Sequence, residues 1–115
     1  PFTSGETIRF DETIRGIVED IRQGIDKATI STKFHNTIIS AIFETVNTIR
    51  QAEGINKVVL SGGVFQNKYL LEGTTAMLLS TYFEVYSHAS VPTNDGGIAL
   101  GQLAVASKRR ELLCV

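Results

Sequence analysis

The chain has 115 residues, 43% apolar and 20% charged, with Lys+Arg 11 against Asp+Glu 12 and a net charge of −1. These values describe one soluble globular unit, and a balance so close to neutral offers no broad basic surface for nucleic acid or anionic membrane. No apolar run reaches the roughly 18–20 residues of a membrane span, and Pro1-Phe2-Thr3-Ser4-Gly5 has no charged-then-apolar leader pattern. A single cysteine, Cys114, leaves no internal disulfide framework, so a reducing, cytoplasmic setting is expected. Without an initiator Met, the chain reads as a piece of a longer protein that runs to a natural C-terminus.

Ile8 to Phe10 are expected to close a short strand. From Asp11 to Gln23, Ile14, Ile17, Val18 and Ile21 recur at helical spacing until Gly24 stops the pattern. Asp26 can cap a second helix, in which Phe34, Ile38, Ile42, Val46 and Ile49 form a stripe widened by Ile39 and Phe43. So wide a stripe predicts a well-buried helix, ended by Ala52-Glu53-Gly54. Val58-Val59-Leu60 is then a short unbroken apolar run, as expected of a strand covered on both faces in a parallel sheet. After Ser61-Gly62-Gly63, Asn67 can cap a helix carrying Leu70, Leu71, Leu78 and Leu79 to about Thr81, and Phe83 to Tyr86 reads as a second strand. A polar connection with Pro92 leads through Asn94-Asp95-Gly96-Gly97 to a last helix bearing Ile98, Leu100, Leu103, Ala104 and Val105. Lys108, Arg109 and Arg110 read as a solvated tail that complements the helix C-terminus. Strands that alternate with helices require crossovers and a parallel sheet. Two firm strands are fewer than the usual four to six or so, and further strands are expected upstream.

Two segments can carry chemistry. Val58 to Asn67 is a buried strand that ends in a double glycine and opens a helix, the place where open α/β sheets bind ligands and backbone N–H groups meet anions. It lacks the Gly-Lys-Ser/Thr of a P-loop and the spacing of a dinucleotide turn, and a tight turn needing positive φ explains the glycines equally. Pro92 to Gly97 repeats the arrangement. Asp95 can hold a metal ion or orient a ligand hydroxyl, with Gly96 and Gly97 keeping the approach open, or it can be an N-cap. Two such turns after neighbouring parallel strands would face one rim and one cleft. Gly97 and Gly101, four apart, expose bare backbone along one side of the last helix at a cost of about 1 kcal/mol for a helical glycine, which packing or a ligand must offset. His35 and His88 are too far apart for a helical ligand pair and are expected to be ordinary hydrogen-bonded side chains. Ser61 has no histidine at a recognisable catalytic spacing, and Cys114 has no neighbour that would activate a thiol. Lys68 and Tyr69 follow the loop and can reach a ligand, although helix-surface roles are the first expectation.

Phe34-His35-Asn36-Thr37, then Leu60-Ser61-Gly62-Gly63-Val64-Phe65-Gln66-Asn67, then Val91-Pro92-Thr93-Asn94-Asp95-Gly96-Gly97-Ile98-Ala99-Leu100-Gly101-Gln102 together resemble the C-terminal part of the hydrogenase maturation carbamoyltransferases, the HypF family, from about Asp11 to Ala106. The strand-Gly-Gly-Val-x-x-Asn segment is also similar, more distantly, to a loop of the tRNA threonylcarbamoyl transferases and the O-carbamoyltransferases. The resemblance implies an α/β fold: a partial actin-like (ASKHA), ribonuclease-H-like lobe with parallel strands, covering helices and an incomplete sheet, residues 1–115 forming its C-terminal lobe. It implies an enzyme that uses carbamoyl phosphate and ATP to make carbamoyl adenylate and passes the carbamoyl group to the C-terminal cysteine of the partner HypE. Dehydration of that thiocarboxamide yields the nitrile that becomes a cyanide ligand of a [NiFe] hydrogenase. Carried over by position, Ser61, Gly62, Gly63, Val64, Asn67, Gly96 and Gly97 would line the nucleotide, and Asp95 would help hold a divalent metal ion. The paired-histidine metal motif and the other domains of such enzymes would lie upstream, so the piece alone is expected to be inactive. The alternatives are a non-catalytic partner-docking module, in which the helix from Phe34 to Ile49 matters most, and a lobe of a sugar kinase or other actin-like ATPase.

Overall fold

The computed structural model describes residues 7–113. Helix α1 (Asp11–Arg22) begins with Asp11 and Glu12 and ends with Arg22, charges that complement its dipole. Gly24 at φ 74° closes it: Gly24 N–H donates to Ile21 O (3.1 Å) and Ile25 N–H to Asp20 O (3.0 Å), the two bonds of a Schellman motif. The expected strand at Ile8–Phe10 is reduced to a single bridge residue, Arg9.

Helix α2 (Lys27–Glu53) starts at the Asp26 cap, whose carboxylate accepts from Thr29 N–H (2.9 Å) and the Thr29 hydroxyl (2.7 Å). Both bonds favour the charged form and lower the Asp26 pKa. Gly54 at φ 70° ends the helix, as the sequence predicts. Strand β1 (Lys57–Leu60), helix α3 (Lys68–Ser80) and strand β2 (Glu84–Ser87) follow, and helix α4 (Ile98–Leu113) is last. The strands pair in parallel, Lys57 opposite Glu84 through Leu60 opposite Ser87.

Strand β2 starts one residue later than predicted because Phe83 belongs to the close of α3. Its N–H donates to Leu78 O (3.0 Å) and Tyr82 N–H to Leu79 O (3.1 Å), a second Schellman motif with Tyr82 at φ 65° in place of glycine. Phe83 is thereby turned into the core with Leu60 and Leu78, against which Phe43, Val46, Val58, Phe65, Leu71 and Val85 pack. The Arg50 guanidinium lies 3.9 Å from the Phe83 ring centroid and donates to Thr81 O (2.7 Å), tying the end of α2 to the end of α3. Between these helices Gly73 lets α2 come close: a Cβ there would lie 2.5 Å from Ile39 Cδ1.

Coverage is one-sided, which corrects the expectation of a strand buried on both faces. Val58, Leu60 and Val85 turn to the helices, whereas Val59 (69% exposed) and its ladder partner Tyr86 (52%) face outward. Helix α2 is half-buried rather than well buried, with only Ile39 and Ala41 fully covered. On α1, Ile14, Val18 and Ile21 are exposed, and on α4 so are Ile98, Leu100, Leu103 and Val105. The radius of gyration, 17.9 Å, exceeds the value of about 13 Å for a compact chain of this length. Apolar rows of α1, α4 and the outer sheet face therefore find no cover among the described residues. The architecture is α/β: a two-stranded parallel sheet with its helices on one face, a partial actin-like lobe.

Candidate functional site

Both strands end at one rim, and the register that sets Leu60 opposite Ser87 brings the next residues side by side. Ser61 Oγ and His88 Nε2 are 2.8 Å apart. The loop then turns at Gly62, whose φ of 105° and ψ of 157° suit glycine alone, and residues Gly63–Gln66 make one 3-10 turn held by Phe65 N–H to Gly62 O and Asn67 N–H to Val64 O, each 3.1 Å. Phe65 reaches the core and anchors this turn, while Val64 stays exposed. The N–H groups of Gly62, Gly63 and Val64 have no hydrogen-bond acceptor among the described residues. A Cβ built on Gly62 or Gly63 meets nothing within 4 Å. Backbone conformation demands glycine at 62, but neither conformation nor crowding by the described residues demands it at 63.

Asn67 closes the loop. Its Oδ1 accepts from Leu70 N–H (3.2 Å), capping α3 as predicted, and its Nδ2 donates to His35 Nε2 (2.9 Å). His35 Nδ1 lies 2.7 Å from Ser31 O; a carbonyl only accepts, so Nδ1 carries the proton and Nε2 is free to accept from Asn67. Beside this chain of bonds the Tyr69 hydroxyl donates to Asn36 Oδ1 (2.8 Å), and the His35 and Tyr69 rings meet edge to face at 5.6 Å. Ser31, Thr32, His35, Asn67 and Tyr69 line a cavity of about 230 Å³. Tyr69, half exposed on α3 as expected, thus also lines this cavity with His35, while His88 meets Ser61 at the other end of the loop.

The second turn is arranged differently. Asn94, not Asp95, is its cap: Asn94 Oδ1 accepts from Gly96 N–H (2.9 Å) and Asn94 O from Gly97 N–H (3.1 Å). A Cβ on Gly96 would lie 3.0 Å from Asn94 Oδ1, and one on Gly97 3.0 Å from Pro92 O. These glycines let the loop fold on itself rather than hold an approach open. The Asp95 carboxylate has no hydrogen-bond or ion-pair partner among the described residues, and no group of three His, Cys, Asp or Glu side chains there could hold a metal. One free carboxylate has the right donor chemistry for a hard cation that takes six or so oxygen ligands but not the number, so the described residues do not make a metal site. The structure brings together Ser61 with His88, and Asn67 with His35; the hydrogen bonds of Asn94, Gly96 and Gly97 stay within their own turn. A concavity of about 680 Å³ over Gly101, Val105 and Arg109 is lined by α4 alone and is a face of that helix left uncovered by the described residues.

A family profile described as "Carbamoyltransferase, Kae1-like Domain, second subdomain" matches residues 2–102. The chain belongs to the HypF carbamoyltransferase family. The HypF of Synechocystis is 42% identical over 85 residues, 74% of this chain and 11% of that protein. That of Rhizobium leguminosarum is 35% identical over 101 residues, 87% of this chain and 13% of the relative. A solved structure titled full-length HypF in the phosphate- and nucleotide-bound form superposes with a TM-score of 0.88 at 46% identity, over 94% of this chain and 15% of that one. The chain therefore spans little more than a tenth of the length of these curated HypF relatives. No helix among the described residues is long and apolar enough to cross a membrane.

Proposed function

We propose that residues 1–115 are the C-terminal lobe of an ATP-dependent carbamoyltransferase domain acting in [NiFe] hydrogenase maturation in the cytoplasm. In this reading the Ser61–Asn67 loop takes the phosphate and ribose side of carbamoyl adenylate, made from carbamoyl phosphate and ATP. The observation that carries it is the set of N–H groups at Gly62, Gly63 and Val64 that find no acceptor among the described residues and open onto space those residues leave empty, at the carboxyl rim of a parallel sheet. Membership of the HypF family, with one relative titled as phosphate- and nucleotide-bound, supplies the ligand class.

Phosphate oxygens would accept from these N–H groups at about 2.9 Å, fixing the adenylate so that its carbamoyl carbon faces the acceptor. The acceptor is the C-terminal thiolate of HypE: the C–S bond forms, the bond from the carbamoyl carbon to the phosphate oxygen breaks, and AMP leaves. Donors aimed at the phosphate would stabilise the charge that AMP carries away. The free Asp95 carboxylate is this chain's contribution to any divalent ion held with residues elsewhere in the whole protein. The uncovered rows on α1, α4 and the sheet would pack against the rest of it.

The test uses the intact protein. Gly63→Val puts a branched side chain over the free N–H groups, and nucleotide affinity and carbamoyl-adenylate formation are expected to fall by about 10²-fold, the scale of a lost oxyanion donor. Unchanged nucleotide affinity in Gly63→Val, with unchanged transfer to HypE in Asp95→Ala, would overturn the site assignment.

A further inference from the structure

We infer that His35 and His88, the two histidines of the chain, are positioning residues that pin the two ends of the Ser61–Asn67 loop and thereby aim its free N–H groups. The inference rests on the reading of this loop as the nucleotide side of the site. A segment with adjacent glycines at 62 and 63 has more backbone freedom than any other pair, and few hydrogen bonds close it internally. Side chains from outside the loop meet its first and last residues. At the root, His88, the first residue past β2, holds Ser61 Oγ at 2.8 Å. At the exit, His35 on α2 holds Asn67 Nδ2 at 2.9 Å.

The exit post has a defined polarity. Ser31 O accepts from His35 Nδ1, His35 Nε2 accepts from Asn67 Nδ2, and Asn67 Oδ1 accepts from Leu70 N–H, so every donor meets an acceptor. The carboxamide cannot turn over without setting its NH2 group against the Leu70 N–H and its oxygen against the His35 lone pair. Tyr69, edge to face with His35 and bonded to Asn36, blocks the ring from swinging away. The role assigned to the Phe34-His35-Asn36 segment is to hold this junction.

Four variants of the intact protein test the clamp: His35→Phe and His88→Phe keep a ring and remove its hydrogen-bonding nitrogens, while His35→Gln and His88→Gln restore a side chain that can donate or accept. Hydrogen–deuterium exchange of peptides covering residues 61–71 is measured without ligand, and KM for ATP and kcat are measured with it. Both Phe variants are expected to speed exchange in 61–71 by about ten-fold, the scale of one lost hydrogen bond, and to leave residues 39–46 unchanged. KM for ATP should rise about five-fold or more with kcat changed less than about two-fold, and the Gln variants should recover most of both effects. Unchanged exchange over 61–71 in the Phe variants, or failure of both Gln variants to restore it, would overturn the clamp whatever happens to KM. Faster exchange with KM unmoved would support the clamp and reject the nucleotide reading of the loop.

Discussion

The two glycine turns look alike in the sequence, a strand followed by Gly-Gly and a helix, yet they are opposite in construction. At Gly62-Gly63 the backbone leaves three N–H groups without acceptors among the described residues and faces space those residues leave open. At Gly96-Gly97 both N–H groups are taken by Asn94, and the bare Cα positions press on Asn94 and Pro92. Glycine in the first turn serves what lies outside the loop, and in the second it serves the loop's own packing. Equal residue types at equal places along βα units therefore do not carry equal roles; the unused donors separate them.

Substitutions can break this contrast. Gly62→Val places a β-branched side chain at φ 105° and should cost about 3 kcal/mol, read as a lowered thermal midpoint, together with loss of nucleotide affinity. Gly97→Val drives its Cβ onto Pro92 O and Val91 Cγ1 at 3.0 and 3.2 Å, and a loss of about 2 kcal/mol is expected with nucleotide affinity nearly intact. If Gly97→Val weakened nucleotide binding as much as Gly63→Val, the distinction between the turns would be lost. Gly63→Ala sharpens it from the other side: with nothing near the new methyl, stability should stay within about 0.5 kcal/mol of the parent while affinity for nucleotide drops. The smallest effect, far from either turn, is a pH response at Asp26. Its pKa is lowered by the Thr29 hydroxyl and backbone N–H, so its contribution is complete above the unfolded carboxylate pKa of about 3.9 and is lost as pH falls through the folded value. Melting curves of the parent and Asp26→Ala should converge in acid, and curves that stay parallel would deny the cap this role.

Where local chemistry decides the outcome, the sequence was readable. Asp26 and Asn67 cap the helices they were expected to cap, Gly24 and Gly54 stop theirs, and the two strands run parallel. Burial was not readable, because the apolar rows of α1 and α4 and the outward pair Val59 and Tyr86 meet no partner among the described residues. His35 and His88 are hydrogen-bonded as expected, but their partners were not readable: Asn67 and His35 are 32 positions apart, and periodicity along α2 says nothing about a loop it meets in space. Ser61 and His88, 27 apart, did leave a signal. Aligning the carboxyl ends of two parallel strands makes the residues that follow them neighbours, which spacing along the chain hides.

Helix α4 touches little beyond the turn that precedes it, whereas α2, α3 and the sheet share Leu60, Leu78 and Phe83. A helix of 16 residues is barely self-sustaining in water. Cooperativity in the described chain is therefore confined to the middle: the last helix opens at little free-energy cost while the α2–α3 wedge persists, and changes along α4 leave the main unfolding transition where it was.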